Sequence, residues 1–280
     1  MADQSGGRDP RGLRGRWSRF QRHWYADPGP ALAPFVAGYW AVAWDYRGQP
    51  PYRQLVVPSP SVHLSFIESP AGADPTATVY GVARGQVVRT LSGAGRVFGV
   101  AFRPGCFRPF LGRPVSTITD RSVGAGEVFG HGVPSRAIAE APDPPEQARV
   151  VERFLLARLP PRDPVAEQVA AVVEQIAGQP GLTRVDQLAD QLGTNVRRLQ
   201  RRFAGYVGVG PKWVIRRCRL QEVTERMARG VAVDWARLAA ELGYADQAHL
   251  TRDFTAMVGE PPTWYAQRYP AASQDRPAAV

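Results

Sequence analysis

The sequence predicts an α+β chain of two folded parts. A β-rich sandwich or barrel comes first, and an all-α domain with two tandem helix-turn-helix units joined by a linker helix follows. Three observations support this. Short apolar runs bounded by Pro and Gly fill the first half of the chain. Two proline-rich breaks follow, at 141–145 and 160–164. Beyond them, one helical pattern occurs twice, about fifty residues apart.

The apolar runs predict strands at 35–40, 55–57, 62–67, 79–82, 87–91 and 97–102. Strands at this spacing are typical of a sandwich or small barrel, and a cupin-like barrel is one such fold. Residues 107–111 predict a short helix or turn. Residues 1–16 contain almost nothing to bury and are predicted to be disordered, so the β-rich part spans 17–140.

The proline-rich breaks enclose a linker at 141–163 with a helix over 146–159. The second break is the predicted domain boundary. Asp163 is the expected N-cap of a helix over 164–177, because Pro164 suits a first helical turn. The all-α domain is predicted to span 164–269, with a loose tail at 270–280.

The repeat predicts a helix, a glycine turn and a second helix in each copy. Gly193 and Gly243 permit the turns, and the second turn is one residue longer. Thr183 with Asp186 resembles a capping box, and Thr194, Asp234 and Asp246 are further expected N-caps. The copies share their apolar skeleton, which pairs Leu188 with Leu238, Leu192 with Leu242, Leu199 with Leu250, Phe203 with Phe254, Gly208 with Gly259, Pro211 with Pro262 and Trp213 with Trp264.

The outward faces of the second helices differ in charge. The first carries Asn195, Arg197, Arg198, Gln200, Arg201 and Arg202, and the second carries Gln247, His249, Thr251 and Arg252. Arg pairs bidentately with guanine and Gln with adenine, so these faces are candidate DNA readers in the major groove. The segment 211–227 is predicted to be the linker helix, with Arg216, Arg217 and Arg219 more exposed than its apolar residues.

The net charge of +10 is concentrated on the first copy and on the N-terminal tail, since residues 181–229 carry +7 and residues 1–24 carry +4, whereas residues 230–269 carry −2. A basic segment of this kind is typical of a polyanion binder. The two cysteines exclude a disulfide framework and a cysteine-rich zinc site, and no apolar run is long enough to span a membrane. We therefore expect a cytoplasmic protein without a membrane partner.

Residues 243–254 (GYADQAHLTRDF) and 259–265 (GEPPTWY) resemble the signature of the AraC/XylS family of transcription regulators. The resemblance covers about residues 165–268, and the pair Arg219-Leu220 fits it. It implies two recognition helices in successive major-groove segments. The readers implied by position are Arg197, Gln200 and Arg201, then Gln247, His249, Thr251 and Arg252. Residues 99–105 (GVAFRPG) resemble the β-rich sensor regions of some family members, which bind small molecules or dimerise.

These expectations describe a sequence-specific, non-enzymatic regulator of transcription initiation without cofactor or metal. Its candidate partners are double-stranded DNA, a small-molecule effector, RNA polymerase and a second copy of the chain. His63 and Trp40 are weak candidates for ligand contact, although a structural role is the commoner one for such residues. One alternative is a DNA-tethered repair enzyme of the Ada type using Cys106, although the Pro-Cys-His-Arg nucleophile and four-Cys zinc site of those proteins are absent. Another is an architectural dimer without an effector.

Overall fold

The computed structural model describes residues 20–68, 74–228 and 233–268. The predicted tails at 1–16 and 270–280 lie outside these ranges. The strands are β1 Gln21–Ala26, β2 Val36–Tyr46, β3 Tyr52–Val56, β4 His63–Glu68, β5 Thr76–Tyr80, β6 Val87–Leu91, β7 Gly93–Phe102 and β8 Ser122–Gly124. The helices are α1 Arg108–Leu111, α2 Ala125–Phe129, α3 Ser135–Glu140, α4 Pro144–Leu156, α5 Pro164–Ala177, α6 Val185–Gln191, α7 Val196–Tyr206, α8 Pro211–Ala228, α9 Trp235–Glu241, α10 Gln247–Val258 and α11 Pro262–Arg268.

The β-rich part is an antiparallel six-stranded sheet in the order β1-β2-β7-β4-β5-β8, with a separate ribbon of β3 and β6. All six predicted strands are present. The sequence did not predict β1 and β8, because polar residues interrupt the first and the second has only three residues. Both are edge strands of the sheet, where apolar patterning is weakest.

Two glycines of β7 make room for two indole rings of β2. Gly95 faces Trp44 and Gly99 faces Trp40 across the β2–β7 ladder. Each indole lies directly over its glycine, in the space that a side chain there would fill. The large rings therefore lie flat against the sheet, and space remains between this face and the ribbon of β3 and β6. A cavity of about 660 Å³ occupies that space.

Two helices beside the proline-rich breaks begin at aspartate N-caps, of which the sequence predicted only Asp163. Asp143 accepts a hydrogen bond from the Glu146 backbone N–H at 2.9 Å and starts α4. Asp163 accepts from the Val165 backbone N–H at 2.8 Å and starts α5, as predicted. The short helix expected near 107–111 is α1.

The apolar core runs without a break from the sheet into the helical part. One cluster joins sheet residues such as Phe98 to α5 and to Leu199 and Phe203 of the first helix-turn-helix unit. A second cluster joins Leu55 and Val57, at the end of β3, to the apolar residues of the second unit. The β-rich part thus packs against both units, and the division at residue 163 stays a prediction.

Candidate nucleic-acid interface

The first helix-turn-helix unit is formed by α6, its turn and α7. Leu188, Leu199 and Phe203 are fully buried and hold the two helices together. Gly193 has φ +58, the left-handed conformation that a side chain would strain. Two predicted caps are wrong. Arg184 occupies the N-cap of α6 and Asp186 forms an ion pair with it, so no capping box forms. Asn195, not Thr194, caps α7.

The outer face of α7 is a row of unpaired cations. Arg197, Arg198 and Arg201 are exposed, and Arg202 is half-buried. Among the residues that the structure describes, no acidic side chain forms an ion pair with any of these four. Several other arginines of the helical part form ion pairs, as Arg237 does with Glu241 at 2.9 Å. The positive potential of α7 is therefore directed at solvent, where a polyanion can meet it.

Two polar residues complete the first face. Gln200 is exposed between the arginines. The Asn195 side-chain oxygen accepts from the Arg198 backbone N–H at 2.8 Å. This cap uses the oxygen of Asn195 and leaves the amide NH₂ as its free donor. Of the predicted readers in the first unit, Asn195 therefore also has a structural role, as the N-cap of α7.

The second unit is formed by α9, a turn one residue longer, and α10. Asp234 and Asp246 cap the two helices as predicted, accepting from the backbone N–H groups of Arg237 at 3.0 Å and His249 at 2.6 Å. Leu250 and Phe254 are fully buried. The second unit therefore repeats the backbone of the first, with side-chain caps on both of its helices.

The outer face of α10 is mostly neutral. Gln247, His249 and Arg252 are exposed, and Thr251 is half-buried. Ala248 is exposed between them and presents only a methyl group. The other charged residue here, Asp253, is turned back to the linker helix, where it pairs with Arg216 at 3.0 Å. The structure thus preserves the charge contrast between the two faces.

The linker helix α8 buries cations that the sequence predicted to be more exposed. Arg217 is 3% exposed and Arg219 is 9% exposed, so that prediction is wrong for both. The Arg217 Nε–H donates to the backbone oxygen of Pro58 in the β-rich part, and burial lowers the pKa of its guanidinium. The Arg219 guanidinium stacks over the Tyr244 ring at 3.9 Å.

Tyr244 connects the linker helix to the outer face of α10. Its ring stands edge-on to His249, with centroids 5.2 Å apart, and its hydroxyl donates to Asp253 at 3.3 Å. Burial raises the Tyr244 pKa to about 12. The sequence did not predict Tyr244 and Asp253 as supports of this candidate reading face. The sequence did offer a sign of this role. Tyr244 lies in the longer turn, and Asp253 lies in the helix after it, and both features distinguish the second copy from the first.

The other residues singled out from the sequence lie in the β-rich part. Trp40 and His63 line the cavity between sheet and ribbon, and their rings are 6.2 Å apart. Two further tryptophans lie nearby: Trp44 lines the same cavity, and Trp24 packs partly buried against the core. Cys106 is 2% exposed, and burial raises its thiol pKa to about 11.

Comparison with known domains agrees with this geometry. Residues 188–268 match a helix-turn-helix domain family. The C-terminal part is an AraC-type helix-turn-helix domain. Residues 25–124 match a domain of unknown function, DUF6597, which covers most of the strands. The AraC-type domain gives the chain the DNA-binding part of a transcription regulator. No curated protein matches the sequence.

Solved structures to which this chain is similar have low sequence identity. The C-terminal domain of AraT, a response regulator from Geobacillus stearothermophilus, is 15% identical, with 41% of this chain and 94% of that chain covered and a TM-score of 0.36. Apo ToxT from Vibrio cholerae is 11% identical, with 87% and 100% covered and a TM-score of 0.45. ToxT bound to unsaturated fatty acid is 11% identical, with 90% and 96% covered and a TM-score of 0.40. No described helix has the length and apolar character needed to cross a membrane.

Proposed function

We propose that this protein is a sequence-specific regulator of transcription initiation that reads duplex DNA with both units of its AraC-type domain. The observation that carries the proposal is the row of unpaired arginines on α7. Buried Leu199 and Phe203 fix the opposite side of that helix, so the cations point outward together. A helix with this face, preceded by a tight glycine turn, suits the major groove.

The proposed readers are those predicted from the sequence. In the first unit they are Asn195, Arg197, Arg198, Gln200 and Arg201, and in the second Gln247, His249, Thr251 and Arg252. The first set carries most of the charge and should supply most phosphate affinity and most guanine contacts. The second set offers hydrogen-bonding groups with one fixed charge and should tune the sequence that is accepted.

Selection of bound sites from random DNA with the full chain tests this proposal. We expect an enriched motif of two boxes about one helical turn apart, with the stronger base preference in one box. Binding should weaken steeply as salt rises, because arginine–phosphate contacts release counterions. Recovery of unenriched DNA, with affinity set by length alone, would refute sequence-specific reading.

The cavity supports an effector as the second element of the proposal. Its apolar lining includes Trp40, Val42 and Trp44, and its polar groups include His63 and Gln54. A concave, mainly apolar site with a few polar groups is the usual form of a small-molecule site. Occupancy should raise the Tm of the full chain in a thermal-shift screen of small, mainly apolar compounds. Ser65 lines the cavity, so Ser65→Trp should fill it. If compounds raise the Tm of this variant as much as that of the wild type, they do not bind in the cavity, and the cavity is removed from the proposal.

The repair-enzyme alternative finds little support at Cys106. A buried thiol with a pKa of about 11 provides little thiolate at neutral pH, and alkyl transfer needs the thiolate. The proposal therefore contains no enzymatic step. RNA polymerase and a second copy of the chain stay predicted partners. The cytoplasm stays the predicted location of the protein.

A further inference from the structure

The β-rich part contacts equivalent points of the two helix-turn-helix units. Gly208 follows α7 with φ +97, and Gly259 ends α10 with φ +93. The two glycines occupy the same position in the repeat. Each is therefore the point where a recognition helix stops and the chain turns, and each lies against a residue of the β-rich part.

The first contact is a hydrogen bond at Gly208. The Thr119 hydroxyl donates to the Gly208 backbone oxygen at 2.7 Å. A side chain at 208 would meet Thr119 Oγ1 at 2.8 Å and Val115 Cγ1 at 3.1 Å, so the two segments pack closely. Beside the contact lies an open cleft of about 680 Å³, lined by Ser116 and Gly210 among others. The cleft gives the segments room to separate if the contact is removed.

The second contact is made by Gln86, which lies between β5 and β6. Its carboxamide fills the space that a side chain at Gly259 would take. Gln86 also lines the cavity between sheet and ribbon. The same connection holds the linker helix, because the Trp213 Nε1–H donates to the Arg84 backbone oxygen at 3.0 Å.

The two contacting segments are joined to each other. The Asp120 carboxylate accepts from the Arg84 backbone N–H at 2.7 Å and pairs with its guanidinium at 2.6 Å. The Asp120 backbone N–H in turn donates to the Val82 oxygen at 3.0 Å. Asp120 has φ +57, the only positive φ of a non-glycine residue in the described ranges. The two contacts therefore belong to one braced surface and not to two independent loops.

We propose that this braced surface sets the separation of the two recognition helices, with Thr119 and Gln86 as positioning residues for DNA reading. The inference rests on the proposed function, because it concerns how two DNA-reading units are held. A shift of one base pair between two boxes moves the groove by about 3.4 Å and turns it by about 35°. The linker helix, 18 residues and so about 27 Å long, is tied to the second unit by the Arg216–Asp253 ion pair and by the stacking of Arg219 on Tyr244. The contacts at Gly208 and Gly259 add a second connection between the two units, through the β-rich part.

The test compares full-length variants on DNA probes built from the selected site, with the spacing between boxes changed by zero, one or two base pairs. Thr119→Val removes the hydroxyl and keeps the shape, and Gln86→Ala removes the second contact. Thr117→Val is the matched control for the first, because its hydroxyl donates to Pro114 within its own segment at 2.7 Å. Gln49→Ala, in an exposed turn, is the control for the second.

We expect wild type and both controls to lose about tenfold in affinity for each base pair of altered spacing, which corresponds to about 1.4 kcal/mol. Thr119→Val and Gln86→Ala should lose threefold or less, and the double variant should lose least, with the buried Leu55 and Val57 contacts still in place. All variants should bind a probe with one intact box as wild type does. The inference would be overturned if the variants depended on spacing as the wild type does. It would also be overturned if they lost the same affinity at every spacing and on the one-box probe. Either result would leave DNA reading intact. Failure of the wild type to bind any selected two-box probe would instead overturn the proposed function.

Discussion

Replacing one arginine in each reading helix tests the charge contrast most directly. Arg201→Ala should weaken binding to the selected site by about 1–3 kcal/mol, or about 5- to 150-fold. Arg252→Ala should weaken it less, because its neighbours on α10 supply neutral hydrogen-bonding groups. Arg184→Ala is the control for loss of charge alone. Arg184 belongs to the first unit but lies at the start of α6 and already pairs with Asp186, so its loss should change affinity by less than about threefold.

The salt dependence of DNA binding provides a second measure of the charge contrast between α7 and α10. Three exposed arginines on α7, Arg197, Arg198 and Arg201, have no acidic partner among the described residues, and α10 has one exposed arginine. Each phosphate contact adds about 0.9 to the slope of log affinity against log salt, or about 3.5-fold between 50 and 200 mM. Neutralising the three on α7 should lower the slope by about 2.7, and neutralising Arg252 by about 0.9.

The assay is a fluorescence-anisotropy titration of a labelled selected site at several salt concentrations. Circular dichroism melts establish that each variant is folded. If Arg252→Ala costs as much as Arg201→Ala, or lowers the slope as much as the triple replacement on α7, the reasoning from unpaired charge is refuted. A slope unchanged by the triple replacement would show that α7 does not face the phosphates.

Further predictions concern stability, the cavity and buried groups. Asp246→Ala should lower stability by about 0.5–2 kcal/mol in thermal unfolding, since it removes the cap of α10, and Asp246→Asn should retain most of it. Ser65→Trp should fill the cavity and prevent the rise in Tm produced by compounds that stabilise wild type, with the effect on unliganded Tm as its control. Cys106 should react with a thiol reagent far more slowly than Cys106 in the denatured chain at neutral pH, and equal rates would contradict its burial. Tyr244 keeps its proton in the folded state up to about pH 12, whereas the unfolded chain releases it near pH 10.0, so stability should fall between these values and Tyr244→Phe should reduce that fall in pH-dependent urea unfolding.

The sequence predicted the elements whose residues determine their own local structure. Asp163, Asp234 and Asp246 cap their helices as expected, because a carboxylate before a helical pattern accepts from the first free backbone N–H groups. The buried pairs Leu199 with Leu250 and Phe203 with Phe254 follow from helical periodicity alone. These features lie within a few residues of the chain and need no tertiary contact to be recognised.

The wrong predictions concern residues whose burial is decided by tertiary contacts. Arg217 looks like a surface residue by type, yet the Pro58 carbonyl from the β-rich part accepts its hydrogen bond and makes burial tolerable. Arg219 is buried because the Tyr244 ring of the second unit covers it. Neither partner lies near these arginines in sequence. Thr119 and Gln86 could not be recognised from the sequence for the same reason. Each is a polar residue between regular elements, and only its tertiary contact with a helix-turn-helix unit distinguishes it.

The two copies of the repeat differ in what surrounds them as well as in charge. Trp213 and Trp264 are equivalent, yet the first donates to the Arg84 oxygen and the second is 66% exposed. The linker helix is therefore held at its start to the β-rich part, directly after the arginine-rich α7. The second unit is held mainly through Gly259 and the buried Leu55 and Val57. In the proposed function, most affinity resides in the first unit, whose exit is fixed by two polar contacts, and the proposed spacing depends on how the second unit rests on the same surface. A ligand in the cavity that displaced Gln86 would consequently change box spacing before it changed affinity for the first box.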